Sequence, residues 1–298
     1  MKRKQFIKAS TLTMGALAFA NTKSLARFFD DPWKIKMLRN DIGIFTEKGG
    51  TIGFMLSKNG IVVVDAEFPE QAQHLIAELK KRSEKPFELL INTHHHGDHT
   101  SGNISFKDVV PHVLAHENSK INQQNVAVKS KTEDKQLYPD QIYTDTKRIK
   151  ISKEKIRLHY FGAGHTNGDS LVHFQHANIV HMGDLVFNRR HPFIDRSAGA
   201  NTKNWINILD KTDAEFDKDT IFIFGHAAEG YDVTGNKEDL KAFRNYLEQL
   251  ITFAEAEVKA GKTKEEFLKN KSIPGNTEWK GDGIERPLTA AYEEVTAK

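Results

Sequence analysis

The sequence predicts a mixed α/β (α+β) protein arranged as a four-layer αββα sandwich, two sheets face to face with helices outside. Two successive sets of short apolar runs are each bordered by stretches of helical periodicity. Histidines and aspartates recur at the ends of those runs, where loops held by a rigid sheet present reactive groups. A chain of 298 residues, 38% hydrophobic, can bury a large core in one domain, expected over residues 41–260.

Residues 42–46, 51–56 and 61–64 read as strands, the latter two joined at Asn59-Gly60, a pair that favours a hairpin. Residues 69–82 read as a helix because Ala72, Leu75, Ile76 and Leu79 recur along one face. A buried strand at 87–92 and a helix at 116–128 follow. The second half carries strands at 156–160, 171–174 and 178–182, then helices 202–209 and 237–258 flanking a strand at 221–224, with no internal repeat. Beyond Gly261, Thr263-x-x-Glu266 has the form of a capping box. A loop at 274–283 and a helix at 287–296 complete a helical extension, 261–298, expected to pack on the domain. Residues 21–40 are read only as an N-terminal segment.

The chemistry concentrates in residues 93–100, Thr-His-His-His-Gly-Asp-His-Thr. His94-x-His96-x-Asp98-His99 places three imidazoles and a carboxylate within six residues, a donor set suited to zinc and to other divalent metals. So many donors crowd a single tetrahedral site, so the natural reading is two metals side by side, completed from elsewhere. Three segments supply the rest. His165 lies in the turn Gly162-Ala163-Gly164-His165-Thr166, Asp184 follows the run Ile179-Val180, and His226 follows Ile221-Phe222-Ile223.

Over roughly residues 40–250 this set resembles the metallo-β-lactamase superfamily, whose fold is the αββα sandwich. The resemblance implies a first metal on His94, His96 and His165 and a second on Asp98, His99 and His226, with Asp184 bridging them. It also implies hydrolysis. A water shared by two cations drops from a pKa of ~15.7 to about 7, and the metal-bound hydroxide attacks an ester, lactone, thioester or amide (β-lactam) carbonyl. Asp98 then has a catalytic duty besides ligation, orienting the nucleophile or carrying a proton to the leaving group. Asp65, at the end of Val62-Val63-Val64, is a candidate for fixing a ligand's orientation.

The chain has no cysteine, which excludes disulfides and the version of the second site that uses a Cys ligand; Asp184 stands in that position. Oxygen and nitrogen donors alone make the second site harder, so manganese or iron is open to it beside zinc. Of the other histidines, His74, His112, His116, His159, His173 and His176 read as structural. His95 should point away from its neighbours in extended backbone, and His181 and His191 read as lining the site. For substrate, Glu47-Lys48-Gly49-Gly50 reads as a flexible flap, and Arg189, Arg190 and Phe193 as a loop able to grip a carboxylate against an apolar wall. Cys-bearing lactamases place a lysine three residues after the cysteine; Phe187 stands there in this chain.

The formal charge of +3 comes from the start of the chain, since residues 1–20 carry Lys2, Arg3, Lys4 and Lys8 and no acid. The remainder is near neutral and lacks a basic block suited to nucleic acid, which points to a small-molecule substrate. The basic start, the apolar run 9–20 and the ending Ala18-Phe19-Ala20 read as a bacterial export signal over residues 1–20. Arg3-Lys4-Gln5-Phe6-Ile7-Lys8 is similar to the twin-arginine form, with Lys4 at the second arginine. A periplasmic or secreted protein without a membrane anchor after cleavage is expected, its oligomeric state open. Two other readings stand beside the dinuclear hydrolase: a mononuclear iron dioxygenase on the same fold and a non-catalytic metal-binding relay protein.

Overall fold

Alternation of buried side chains builds the two sheets. In this computed structural model the described residues are 32–297 without 282, so the expected export signal lies outside them. Residues 35–298 form one compact unit, and the expected extension 261–298 lies within it. The first sheet has seven strands in sequence order: β1 (Lys34–Arg39), β2 (Ile42–Thr46), β3 (Ile52–Leu56), β4 (Ile61–Val64), β5 (Phe87–Ile91), β6 (Val113–His116) and β7 (Gln141–Tyr143). Strands β2 to β4 pair antiparallel. From β4 to β7 the pairing is parallel, as crossover connections require, and helix α1 (Pro69–Arg82) makes the first of them. A one-turn helix, α2 (Gly97–Thr100), and the longer α3 (Glu117–Ser130) fill the later ones.

The second sheet contains β8 (Thr146–Ile151), β9 (Glu154–His159), β10 (Leu171–Phe174) and β11 (Ile179–His181). The short β12 (Phe187–Asn188) follows, then helix α4 (Thr202–Glu215), β13 (Ile221–Ile223), β14 (His226–Ala227) and β15 (Thr234–Gly235). The spatial order is β15-β13-β11-β10-β9-β8, with β12 and β14 forming a separate parallel pair. Helices α5 (Lys237–Lys259), α6 (Lys264–Phe267) and α7 (Glu285–Thr296) complete the chain.

Two apolar layers hold this together. Val62, Val64 and Ile91 of the first sheet meet Leu158, Val172 and Phe174 of the second. Their neighbours of opposite parity on the second sheet, Leu171, Val180 and Phe222, face Trp205, Phe243, Leu247 and Leu288 of the helices. That two-residue alternation makes four layers out of two sheets. Each fully buried side chain of this size contributes roughly 1.5–3 kcal/mol.

Boundaries moved where polar groups decide them. The α3 helix starts at Glu117 because His116 caps it, accepting from the Asn118 amide at 3.2 Å. The expected capping box is present at α6, where Thr263 and Glu266 satisfy each other's amides. Strands β1, β7 and β8 and the last half of α4 extend the expected pattern. No helix among the described residues is long and apolar enough to cross a membrane.

Candidate metal centre

Donors arrive from four stretches of chain, each following a strand. The loop after β5 carries His94 and His96, and α2 carries Asp98 and His99. The loop after β9 carries His165, a turn after β11 carries Asp184, and His226 opens β14. The last two are tied together, since the Gly225 amide donates to the Gly183 carbonyl at 2.7 Å. A Cβ on Gly225 would lie 1.9 Å from Asp184 Oδ1, so only glycine allows that approach.

The hydrogen bonds of the first three histidines fix which nitrogen is bare. His165 Nδ1 donates to the Phe193 carbonyl at 2.7 Å, and His96 Nε2 donates to Asp195 Oδ2 at 2.9 Å. The Thr93 hydroxyl gives its proton to Asp65, so its oxygen accepts from His94 Nδ1 at 3.1 Å. In neutral imidazoles the remaining nitrogens are then lone pairs. These lone pairs face one another, His96 Nδ1 standing 2.9 Å from His165 Nε2 and 3.1 Å from His94 Nε2. Burial, with the neighbouring histidines, keeps His94 well below the usual imidazole range and His165 down at about 3. Three bare nitrogens converging without a proton between them fit a cation.

Asp184 joins this cluster to a second. Its Oδ2 lies 3.5 Å from His165 Nε2 and 3.8 Å from His94 Nε2. Its Oδ1 lies 3.0 Å from His99 Nε2 and 3.5 Å from His226 Nε2, while Asp98 Oδ2 lies 3.1 Å from His226 Nε2. Buried Asp184 Oδ1 and His99 Nε2 meet only as an ion-pair contact, without a well-aligned hydrogen bond. Buried polar atoms of this kind call for a partner such as an ion. Against the burial that disfavours charge, Asp184, Asp98 and Asp65 raise His99 well above its usual range. Against the same burial, Asp184 and Asp98 push His226 up to about 9, and the histidines hold Asp184 well below the carboxylate range. Asp98 is held down to about 2, its burial outweighed chiefly by His99 and His226.

Two donor sets sharing one carboxylate on this fold agree with a comparison against known families. Residues 46–226 match the family model of the metallo-beta-lactamase superfamily. The chain belongs to this superfamily. A curated relative, "Metallo-beta-lactamase type 2" of Elizabethkingia meningoseptica, is 22% identical over 65% of this chain and 78% of its own. A solved metallo-beta-lactamase from Pontibacter korlensis matches with a TM-score of 0.60 at 19% identity, over 72% of this chain and 99% of its own. One from Hirschia baltica gives 0.61 at 17% identity, over 73% and 98%. The likeness to the solved structures is one of fold.

This member of the superfamily braces its donor residues in ways the sequence shows only in part. Asp65, in a left-handed conformation (φ 66°), accepts His99 Nδ1 at 2.8 Å and both the amide and hydroxyl of Thr93 at 2.7 Å. Asp195, which sequence reasoning missed, holds His96. Buried Asp169, pushed up to about 7 by its burial, accepts the Thr166 amide and hydroxyl and so fixes the turn beneath His165. His95 does not point away as expected. The chain bends at Thr93 and His94, which breaks the two-residue period, and His95 lies beside His96 with Nε2 3.7 Å from Asp195. His181 is buried with its ring on the Thr51 carbonyl and stands outside the cleft, whereas His191 lines it.

The cleft above the donors encloses about 310 Å³ and includes Asp98, Phe187, Arg190 and Phe193. Two expected substrate residues stand elsewhere. Arg189 stacks over Trp279 at 5.0 Å and lies 3.2 Å from Glu278, so its charge serves the C-terminal segment. Lys48 reaches over the Phe68 ring at 5.6 Å. The expected flexible flap is tied down. The amides of Glu47, Lys48 and Gly49 all donate to the buried Glu67 carboxylate, and Gly50 donates to the Asp98 carbonyl at 3.0 Å. Gly50 packs so closely that a Cβ there would lie 2.1 Å from the His99 ring. Arg286, from α7, also lines the cleft and had no signal within the metal motifs.

Proposed function

We propose that this chain is an exported, metal-dependent hydrolase acting on an ester, lactone, thioester or amide carbonyl, β-lactams among them. It would hold two divalent cations, zinc foremost. His94, His96 and His165 would hold one and Asp98, His99 and His226 the other, with Asp184 between. The observation that carries this is the orientation of Asp184, one oxygen toward each of two donor sets. When bound, the cations would make a shared water acidic near neutral pH and polarise the bond under attack.

The side chains do the rest. Asp98 is the most open of the donors, a third exposed, and on this reading would pass a proton between the cleft and a leaving group. Phe187 stacks on His226 at 5.4 Å and gives the floor an apolar wall. Phe187 in place of the lysine that grips an antibiotic's carboxylate favours substrates other than the usual β-lactams.

The test is elemental analysis of purified protein with a hydrolysis panel of nitrocefin, lactones, thioesters, aryl sulfates and phosphodiesters. We expect two metals per chain and turnover of at least one carbonyl substrate. A single iron with oxygen consumption would instead make it an oxygenase, leaving Asp98 or His226 unused. For export, cell fractionation should find a periplasmic or secreted chain beginning near residue 21; retention of residues 1–20 in the cytoplasm would refute it.

A further inference from the structure

The outer face of the second sheet carries a charge pattern that the metal centre does not use. Along β8 the exposed side chains are Thr146, Arg148 and Lys150, and along β9 the same face holds Lys155, Arg157 and His159. The register sets them in direct opposition, Arg148 against Arg157 and Lys150 against Lys155. His173 of β10 continues the first row on the far side of Arg157. Residues directly opposite have Cβ atoms about 4.5–5.5 Å apart, and two residues along a strand span about 7 Å. Four cations therefore start from the corners of a rectangle of about 5 by 7 Å, with an imidazole beside it. Like charges directly opposite destabilise a sheet, and here two such pairs follow one another.

The surroundings do not neutralise this group. Strands β8 and β9 place no acid on the face. Glu215, at the end of α4, lies 3.9 Å from Arg157, and Asp217 acts on His173. Lys211 of the same helix adds a further cation, 4.2 Å from the centre of the Phe161 ring. Arg157 Nε is buried without a hydrogen-bond partner, and so is His159 Nε2. Burial, then Arg157, His173, Lys211 and Arg148, hold His159 down at about 4, and burial with Arg157 does the same to His173. A sheet face that keeps its own histidines neutral lacks a counter-charge. Among the described residues, the large exposed hydrophobic side chains include none from β8, β9 or β10, so the face offers nothing to a lipid interior. A multiply charged oxyanion suits it, because guanidinium forks match oxyanion geometry and ammonium groups add point charge.

We propose that the outer face of β8 and β9 binds a small, multiply charged oxyanion of the phosphate kind, held by Arg148, Arg157, Lys150 and Lys155. The face shares no residue with the cleft above the donors, and the proposal does not rest on the hydrolase reading.

Calorimetric titration of the metal-loaded full chain with inorganic phosphate, at an ionic strength fixed with chloride, tests it. Phosphate can also reach bound metals, so a variant of the face decides. Wild type should bind phosphate, and Arg148→Gln combined with Lys150→Gln should weaken one class of site by about tenfold or more, the loss of a charge-assisted bond. Arg148→Lys should keep part of the affinity. Both positions are exposed, and without phosphate the double variant should melt no lower than wild type, because each change relieves a like-charge pair. Phosphate should raise the melting temperature of wild type more than that of the double variant. Equal affinities in the two proteins, or no binding beyond that of chloride, would overturn the proposal. So would a chain that ignores free phosphate but binds phosphatidylglycerol vesicles through the same two residues, since the face would then be a membrane contact.

Discussion

The two halves of the metal centre are built on opposite electrostatic plans. His94, His96 and His165 are held by a hydroxyl, a carboxylate and a carbonyl, and for His94 and His165 burial favours the neutral form. Asp98, His99 and His226 form a charged set in which carboxylates keep both imidazoles protonated. The first half has its lone pairs ready; the second has to give up protons before it can ligate. Asp184 belongs to both, and the comparison turns on it.

Removing the shared group should have the largest effect. Asp184→Asn is expected to lower hydrolysis by more than ~100-fold, beyond the range of an outer-sphere partner, and to deplete both metals by elemental analysis. Normal metal content with two ions per chain would mean that the halves do not share it. Gly225→Ala comes next, because a methyl group 1.9 Å from Asp184 Oδ1 must displace the carboxylate. Here the second metal should be lost first, which a stepwise metal titration followed by calorimetry would reveal.

The contrast in protonation gives a pH signature. With His226 pushed up to about 9, a cation entering the second half displaces a proton at neutral pH, so its affinity should rise with pH until about 9 and then level off. The first half, with His165 at about 3, should show no such rise above pH 5 from that residue. Titrations in buffers of different ionisation enthalpy count the protons released; equal release at both steps would erase the distinction. The smallest effect is expected from Asp195→Asn, which loosens His96 and should weaken the first metal by about 10–100-fold while sparing the second. Competition with a chromophoric chelator would measure it, and a selective loss from the second half would reverse the assignment.

The sequence made the sheet cores and the seven donors legible for the same reason: both are local patterns. Runs such as Ile61–Val64 announce buried strands, and His94 to His99 lie within six residues. Edge strands were harder. Thr146–Ile151 alternates Lys and Arg with two isoleucines, so its buried face is too sparse to stand out. Asp195 was invisible because nothing near it signals that it meets a histidine 99 positions earlier. Arg189 misled in the opposite sense. An arginine in a loop beside a metal site suggests a ligand grip, but Trp279 and Glu278, far along the chain, claim it. His95 shows the limit of periodicity, since a two-residue rule fails where the backbone bends.

The place of Arg286 in the wall of the cleft also orders events during synthesis. All seven donors have left the ribosome once residue 226 is made and the chain moves on, whereas the wall of the cleft waits for Arg286. A nascent chain therefore carries its whole donor set before the cleft above it is complete. A protease nick between α6 and α7 would return the mature molecule toward that earlier stage, with its donors in place and its doorway undone.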